Sequence, residues 1–171
     1  MKSYTLMVEE PNRLLDIIDY NIIDILAKDS STTFVDIAKR IGVSDATIHI
    51  RVRRLRDLGI IGNFTISVDN NRLGYDHLAF MGINVEPGFA EEVSDGLSFY
   101  EEILEIHEMH NRFDLLLKIR ATDLEDLRDI VVNKIRRLPH ILEAELMTIL
   151  KTRKEEQIVP IQNEIEITSW K

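Results

Sequence analysis

The stretch TFVDIAKRIGVSDATIHIRVRRLRDLG, residues 33–59, constrains the fold of this chain more than any other. Phe34, Ile37, Ala38 and Ile41 recur at helical spacing, so residues 34–41 form one apolar helix face. Thr33 and Asp36 have capping-box spacing at its start. Gly42 stands where a helix end needs a left-handed residue. Val43 plugs a very short turn, and Ser44 caps a second helix whose core stripe is Ile48, Val52 and Leu55. Gly59 ends that helix. Two helices joined by a Gly-containing turn of about three residues form a helix-turn-helix.

Turning the second helix by roughly 100° per residue sorts its remaining side chains. With Ile48, Val52 and Leu55 inward, Ala46, Ile50 and Arg53 point outward. Thr47 and Arg54 flank that face on one side and His49 on the other, with Arg51 and Arg56 nearer its borders. Small, hydroxyl, aliphatic and guanidinium groups suit a DNA major groove, where Arg bonds guanine edges or phosphates. The helix N-termini at Thr33 and Ser44 present backbone N–H groups suited to phosphate oxygens.

An Arg-rich helix alone is often only a solvated face, so the charge distribution matters. The chain of 171 residues has 21 Lys+Arg and 30 Asp+Glu, a formal net charge of −9. Residues 1–62 hold nine basic and nine acidic residues; residues 63–171 hold twelve and twenty-one. Lys39 to Arg56 alone has six basic residues against Asp45. An acidic body with one basic patch fits a protein that meets a polyanion at one place. There are no cysteines, which excludes disulfides, thiolate zinc sites and a Cys nucleophile. No apolar run reaches the roughly 18 residues of a membrane span, and MKSYTLMVEEPNR lacks a signal-peptide core. A cytoplasmic location without membrane contact is expected.

Upstream, LDIIDYNIIDILAKD carries Leu15, Ile18, Ile22 and Ile25 on one stripe, with Asp16 as cap and Asp19 three residues on. Downstream, Phe64, Ile66 and Val68 alternate as in a strand, and DNNRLG is a turn. The second half reads strand (78–85), helix (Phe89, Val93, Leu97), strand (103–109), strand (113–120), helix (Leu124 to Leu138, opened by Thr122 and Glu125 and stopped by Pro139) and strand (141–151). That order is the split βαβ arrangement. Strands apolar on both faces predict that a partner subunit covers the sheet face away from the helices.

The fold class expected is α+β: an N-terminal winged helix-turn-helix domain plus a C-terminal ferredoxin-like βαββαβ domain. The expected divisions are an arm (1–13), the helix-turn-helix (14–62), a linking strand and turn (63–75), the ferredoxin-like domain (76–155) and an extension (156–171).

Over roughly residues 14–155 the chain resembles the Lrp/AsnC (feast/famine) family of prokaryotic transcription regulators. LDIIDYNIIDILAKD, DIAKRIGVSDATIHIRVRRLRDLGII, RLGY, FDLLLKIRATD and RLP carry the resemblance in order and spacing. It implies a homodimer joined through the ferredoxin-like domain, octamers built from dimers, paired helix-turn-helix units on double-stranded DNA, and an amino-acid effector between dimers. It implies no cofactor. It places the recognition helix on Ser44–Leu58, with DNA contacts at Ser44, Thr47, His49, Ile50, Arg51, Arg53 and Arg54; Thr33 joins them from the helix-terminus argument.

The implied effector turn departs from the family. Gly, an acid, an aromatic and Asp are usual; here Asn111, Arg112, Phe113 and Asp114 stand there. Phe113 and Asp114 match. Asn replaces Gly in a left-handed turn at modest cost. Arg112 inverts the charge that holds an ammonium group. Two ligand-facing Thr positions of the family correspond to Ala144 and Leu146, and Leu-Pro-Gly becomes Leu138-Pro139-His140. The effector therefore differs from the ordinary one or is absent, and an effector-independent architectural DNA-binding protein is the alternative.

Two other constellations bear on function. His107 and His110 sit three apart on a strand, so they face opposite ways, and nothing completes a metal site. Glu101, Glu102, Glu105 and Glu108 read as a solvated edge. The architecture is also similar to siroheme decarboxylases, for which His107, His110 and Arg112 are the residues to test. The basic, intact helix-turn-helix argues against that enzyme. No phosphate loop or Ser/His/Asp pattern stands out.

Overall fold

The computed structural model describes residues 15–156 and 158–159. The arm (1–13) and nearly all of the C-terminal extension, including IEITSW, lie outside the described residues. The chain divides into two compact units at Ile66–Ser67, the second running to Glu155.

The first unit holds three helices: α1 (Ile17–Lys28), α2 (Phe34–Ile41) and α3 (Asp45–Asp57). Each begins where a side-chain oxygen satisfies orphan N–H groups. Asp16 accepts from the Ile18 and Asp19 N–H groups at 3.0 and 3.1 Å, and Asp19 returns the bond to the Asp16 N–H at 3.1 Å. Thr33 accepts from the Asp36 N–H at 3.2 Å, and Ser44 from that of Thr47 at 3.1 Å. Gly42 takes φ +82°, the left-handed turn that only glycine adopts without strain. Ile22, Leu26, Ile37, Ala38, Ile48, Val52 and Leu55 close the core, flanked by Leu15, Ile18 and Ile25.

The alternation at Phe64, Ile66 and Val68 does not produce a strand. Residues 63–69 carry no strand assignment, and those three side chains are 47, 80 and 44 % exposed. A strand exists only when its N–H and C=O groups find a neighbouring strand, and no described segment supplies one. DNNRLG contains a 3-10 turn at Asn71–Leu73.

The second unit is a four-stranded antiparallel sheet of β1 (His77–Val85), β2 (Ile103–Glu108), β3 (Leu115–Ala121) and β4 (Ile141–Thr148), ordered β2-β3-β1-β4. Helices α4 (Ala90–Ser98) and α5 (Leu124–Asp129) supply the βαββαβ order, and α5 runs into a π-helical segment at Ile130–Ile135. Ala79, Met81, Ile83, Leu115, Leu117 and Ile119 pack with Val93, Leu97, Leu127, Ile130 and Ile135 in one core. The cap of α5 is Asp123 rather than Thr122: its carboxylate accepts the Glu125 and Asp126 N–H groups, both at 2.8 Å. Thr122 instead donates its N–H and hydroxyl to Asp126 at 2.9 and 3.0 Å. A carboxylate outcompetes the neighbouring hydroxyl because its charged acceptor also meets the positive helix end. The strands differ from expectation at their ends: β3 begins at Leu115 because Phe113 and Asp114 belong to the turn, and β4 ends at Thr148.

Candidate nucleic-acid interface

The outward face of α3 forms as its periodicity dictates. Ile48, Val52 and Leu55 are buried, while Ser44, Ala46, His49, Ile50, Arg53 and Arg56 are exposed and Thr47, Arg51 and Arg54 intermediate. Ile50, an apolar side chain, is 68 % exposed. A groove is lined by Phe34, His49, Ile50, Arg53, Arg56 and Phe64. Phe34 meets the His49 ring edge-on, centroids 4.7 Å apart, and so fixes one wall.

The four arginines of α3 divide into two pairs. Arg53 and Arg56 are exposed and form no ion pair among the described residues. Arg51 and Arg54 reach back to α1. Arg51 Nη1 donates to Asp16 Oδ2 at 2.5 Å and to both Asp19 oxygens at 3.3 and 3.2 Å. Arg54 Nη1 donates to Asp19 Oδ2 at 3.1 Å. The Asp19 side chain is fully buried, at 0 % exposure. It therefore sits under two guanidinium groups and one backbone N–H. Their charge neutralises a carboxylate that burial would otherwise make very costly. Partial burial raises the Asp16 pKa, but hydrogen bonds from the Asp19 N–H and from Arg51 outweigh it and hold that carboxyl below its ordinary range.

At α2 the Thr33 hydroxyl donates to Asp36 Oδ2 at 2.7 Å, and that bond lowers the Asp36 pKa. A phosphate approaching this helix end meets a carboxylate. At α3 the Ser44 and Thr47 hydroxyls lie 2.8 Å apart and both stay near the surface.

Of the residues expected around an effector, Asn111–Asp114 share the β2–β3 turn, whereas Ala144 and Leu146 lie on β4. Asn111 and Arg112 are exposed in the β2–β3 turn. Arg112 is ion-paired with Glu145 and lies over the Phe113 ring, 4.9 Å from its centroid. Phe113 is 9 % exposed and rests on Gly82; a Cβ at Gly82 would overlap the ring. Asp114 Oδ2 accepts the Val85 N–H at 2.8 Å beside the β1 bulge, so it fastens the turn to the sheet. Ala144 and Leu146 pair in register with Ile83 and Met81, whose side chains face the helices, and both pack on that core. Glu145 and Phe113 lie on the other face. His107 Nε2 lies 3.1 Å from Glu105 Oε2. Among the described residues no group of three or more His, Asp or Glu is placed to hold a metal, and no helix is long and apolar enough to cross a membrane.

Sequence reasoning missed the arginine clamp. Asp19 gave a signal, its capping-box spacing from Asp16, but its partners lie 32 and 35 residues away on α3. Arg56 and Phe34 also join the groove beside the expected contacts.

Residues 15–61 match the winged helix-turn-helix DNA-binding model, and residues 78–159 match the Lrp/AsnC ligand binding domain. The HTH-type transcriptional regulator FL11 of Pyrococcus abyssi is 39 % identical over 148 residues, covering 86 % of this chain and 97 % of its own. The regulatory protein AsnC of Haemophilus influenzae is 31 % identical over 134 residues, 78 % of this chain and 89 % of its own. The solved AsnC of E. coli superposes with a TM-score of 0.81 at 27 % identity, over 85 % of this chain and 99 % of that one. A Neisseria meningitidis regulator solved with L-Met shares the fold, TM-score 0.80 at 21 % identity, over 85 % and 96 %. A basic helix-turn-helix, a ferredoxin-like sheet and these matches lead to one conclusion: the chain belongs to the Lrp/AsnC family of HTH-type transcription regulators.

Proposed function

We propose that this regulator reads DNA through Ser44, Thr47, His49, Ile50 and Arg53, with Arg51, Arg54 and Thr33 beside the backbone, as a homodimer or a multiple of dimers. The observation that carries this reading is the division of the α3 arginines: Arg53 is exposed and unpaired among the described residues, whereas Asp19 holds Arg51 and Arg54. A free guanidinium on an outward helix face is available to a guanine edge. A clamped one keeps its remaining N–H groups in a fixed direction, suited to a phosphate. Two-fold-related α3 helices then enter successive major grooves, about 34–36 Å apart.

Binding to DNA from upstream of the regulator's own gene tests this, by titration at two salt concentrations. Arg53→Ala should cost about 1–3 kcal/mol and relax sequence preference. Arg54→Ala should weaken all sequences alike and lower the salt slope by about one. Undiminished binding by both variants would remove this surface from the reading.

The sensing domain supports two readings. In the first, a small molecule modulates DNA binding, as the L-Met complex of the Neisseria regulator suggests by analogy. In the second, DNA binding needs no effector at the β2–β3 turn, and one observation favours it: Arg112 is already engaged by Glu145 and Phe113. The same titration with and without a panel of amino acids separates them. A shift in affinity supports the first reading, and indifference supports the second.

A further inference from the structure

Ile50 keeps 68 % of its surface exposed on the outward face of α3. Local forces do not favour it there. A β-branched side chain loses χ1 freedom against the preceding helical turn, so Arg, Lys, Gln or Glu would suit a solvated position better. Its apolar surface gains nothing from water. The helix positions one turn away are Ala46, Thr47, Arg53 and Arg54, and none offers Ile50 an apolar side chain of comparable size.

The setting of Ile50 limits what it can meet. Ile50 and Arg53 line one groove with Phe34 and His49. Arg53 is exposed and forms no ion pair among the described residues. No acid stands on α3 between Asp45 and Asp57. An occupant of this face must therefore bring hydrogen-bond acceptors or negative charge to Arg53 and an apolar group to Ile50. A DNA major groove brings both. Guanine supplies the acceptors, and the apolar group displayed there is the thymine C5-methyl; the other base edges present donors and acceptors.

We infer that Ile50 is a specificity-determining residue that reads a thymine through its C5-methyl group, beside a guanine read by Arg53; the inference rests on the proposed DNA reading by α3. Three residues of helix advance about 4.5 Å along the axis. Successive bases of one strand are about 3.4 Å apart. The thymine therefore lies within one or two base steps of the guanine in each half-site. Cytosine in its place would set an amino group against Ile50, which has no acceptor to offer it.

Removing single methyl groups from the DNA tests the inference. The full chain enriches its site from random duplex DNA, and the enriched duplex is remade with deoxyuridine in place of each thymine in turn. Uracil pairs as thymine does and lacks only the methyl. One thymine per half-site should respond, within two steps of the guanine whose preference Arg53→Ala loses. Deoxyuridine there should lower affinity about fourfold in one half-site and about fifteenfold in both. Ile50→Ala should bind the thymine and uracil duplexes alike, while Arg53→Ala should still tell them apart. Ala is the better helix former at this exposed position, so Ile50→Ala keeps its fold, which circular dichroism checks. The assignment of Ile50 is overturned, with the DNA reading intact, if the enriched half-site has no thymine near that guanine or if uracil binds as well as thymine throughout. It is overturned equally if Ile50→Ala still discriminates between the two duplexes. Enrichment of no sequence at all overturns the DNA reading and this inference together.

Discussion

The two units solve the problem of buried and constrained groups differently. In the first, the helix ends are settled locally, by Asp16, Thr33 and Ser44 capping their own helices and Gly42 supplying the left-handed turn, and the buried Asp19 is neutralised from another helix by Arg51 and Arg54. In the second, Asp123 caps α5 in the same local way, but other constraints are met across the sheet or stay open. Phe113 sits on Gly82, His140 takes φ +67° without being glycine, and Arg120 lacks a carboxylate. Among the described residues, the buried side-chain atoms without a hydrogen-bond partner, Ser94 Oγ and Arg120 Nε, both lie in the second unit.

The largest effect should come from breaking the first unit's best-matched group. Asp19→Ala leaves two guanidinium groups without their shared anion and removes half of a capping box. It should lower stability by about 3 kcal/mol, read as a fall in the denaturant midpoint. A much smaller loss would mean that the arginines re-solvate freely, and the contrast between the units would weaken.

Next is Gly82→Ala, which forces the Phe113 ring off the sheet and should cost about 2 kcal/mol. The double variant with Phe113→Ala should not add the two single losses, because the second change removes the clash. Additivity would show that the turn does not rest on Gly82.

His140 sharpens the comparison further. Its ring stacks on Phe89, centroids 3.6 Å apart and planes within 10°, and its Nδ1 lies 3.0 Å from Glu86 Oε2. The left-handed backbone costs a non-glycine residue about 1 kcal/mol, and the ring contacts return a similar amount. His140→Gly should therefore leave thermal stability nearly unchanged, whereas His140→Ala should lose about 1 kcal/mol by keeping the strain without the stack.

The smallest effect concerns acid. Because the folded pKa of Asp16 lies below its ordinary 3.8, its contribution is present above that value. It is lost as pH falls through the lower, folded pKa. Asp16→Asn should flatten the acid limb of stability below pH 3.8 and should also cost some stability at pH 7 by weakening the cap.

Most of the first unit was legible because its signals are local. Caps at Asp16, Thr33 and Ser44, the Gly42 stop and the Ile48–Val52–Leu55 stripe all fall within one or two helical turns. Even there, the clamp on Arg51 and Arg54 was invisible, since it joins helices through three-dimensional packing. The βαββαβ order of the second unit was legible from alternation and breakers, but the Arg112–Glu145 pair and the seat of Phe113 on Gly82 were not. Phe64, Ile66 and Val68 show the limit plainly: alternation records which residues suit a strand, not whether a neighbour exists to pair with. Ala144 and Leu146 show another, because which sheet face a residue occupies follows from register, and a slip of one position reverses it.

The strand order β2-β3-β1-β4 has a consequence for how the chain is made. The central strand β1 pairs Ala79 with Thr148 and His77 with Ala121, so its two neighbours arrive late in synthesis. The sheet cannot close until nearly the whole chain has emerged, and such non-local pairing makes closure slow. The described core of the three helices between Ile17 and Asp57 is drawn from residues 15–61. During translation those helices thus emerge together and early, while β1 waits for both of its partners.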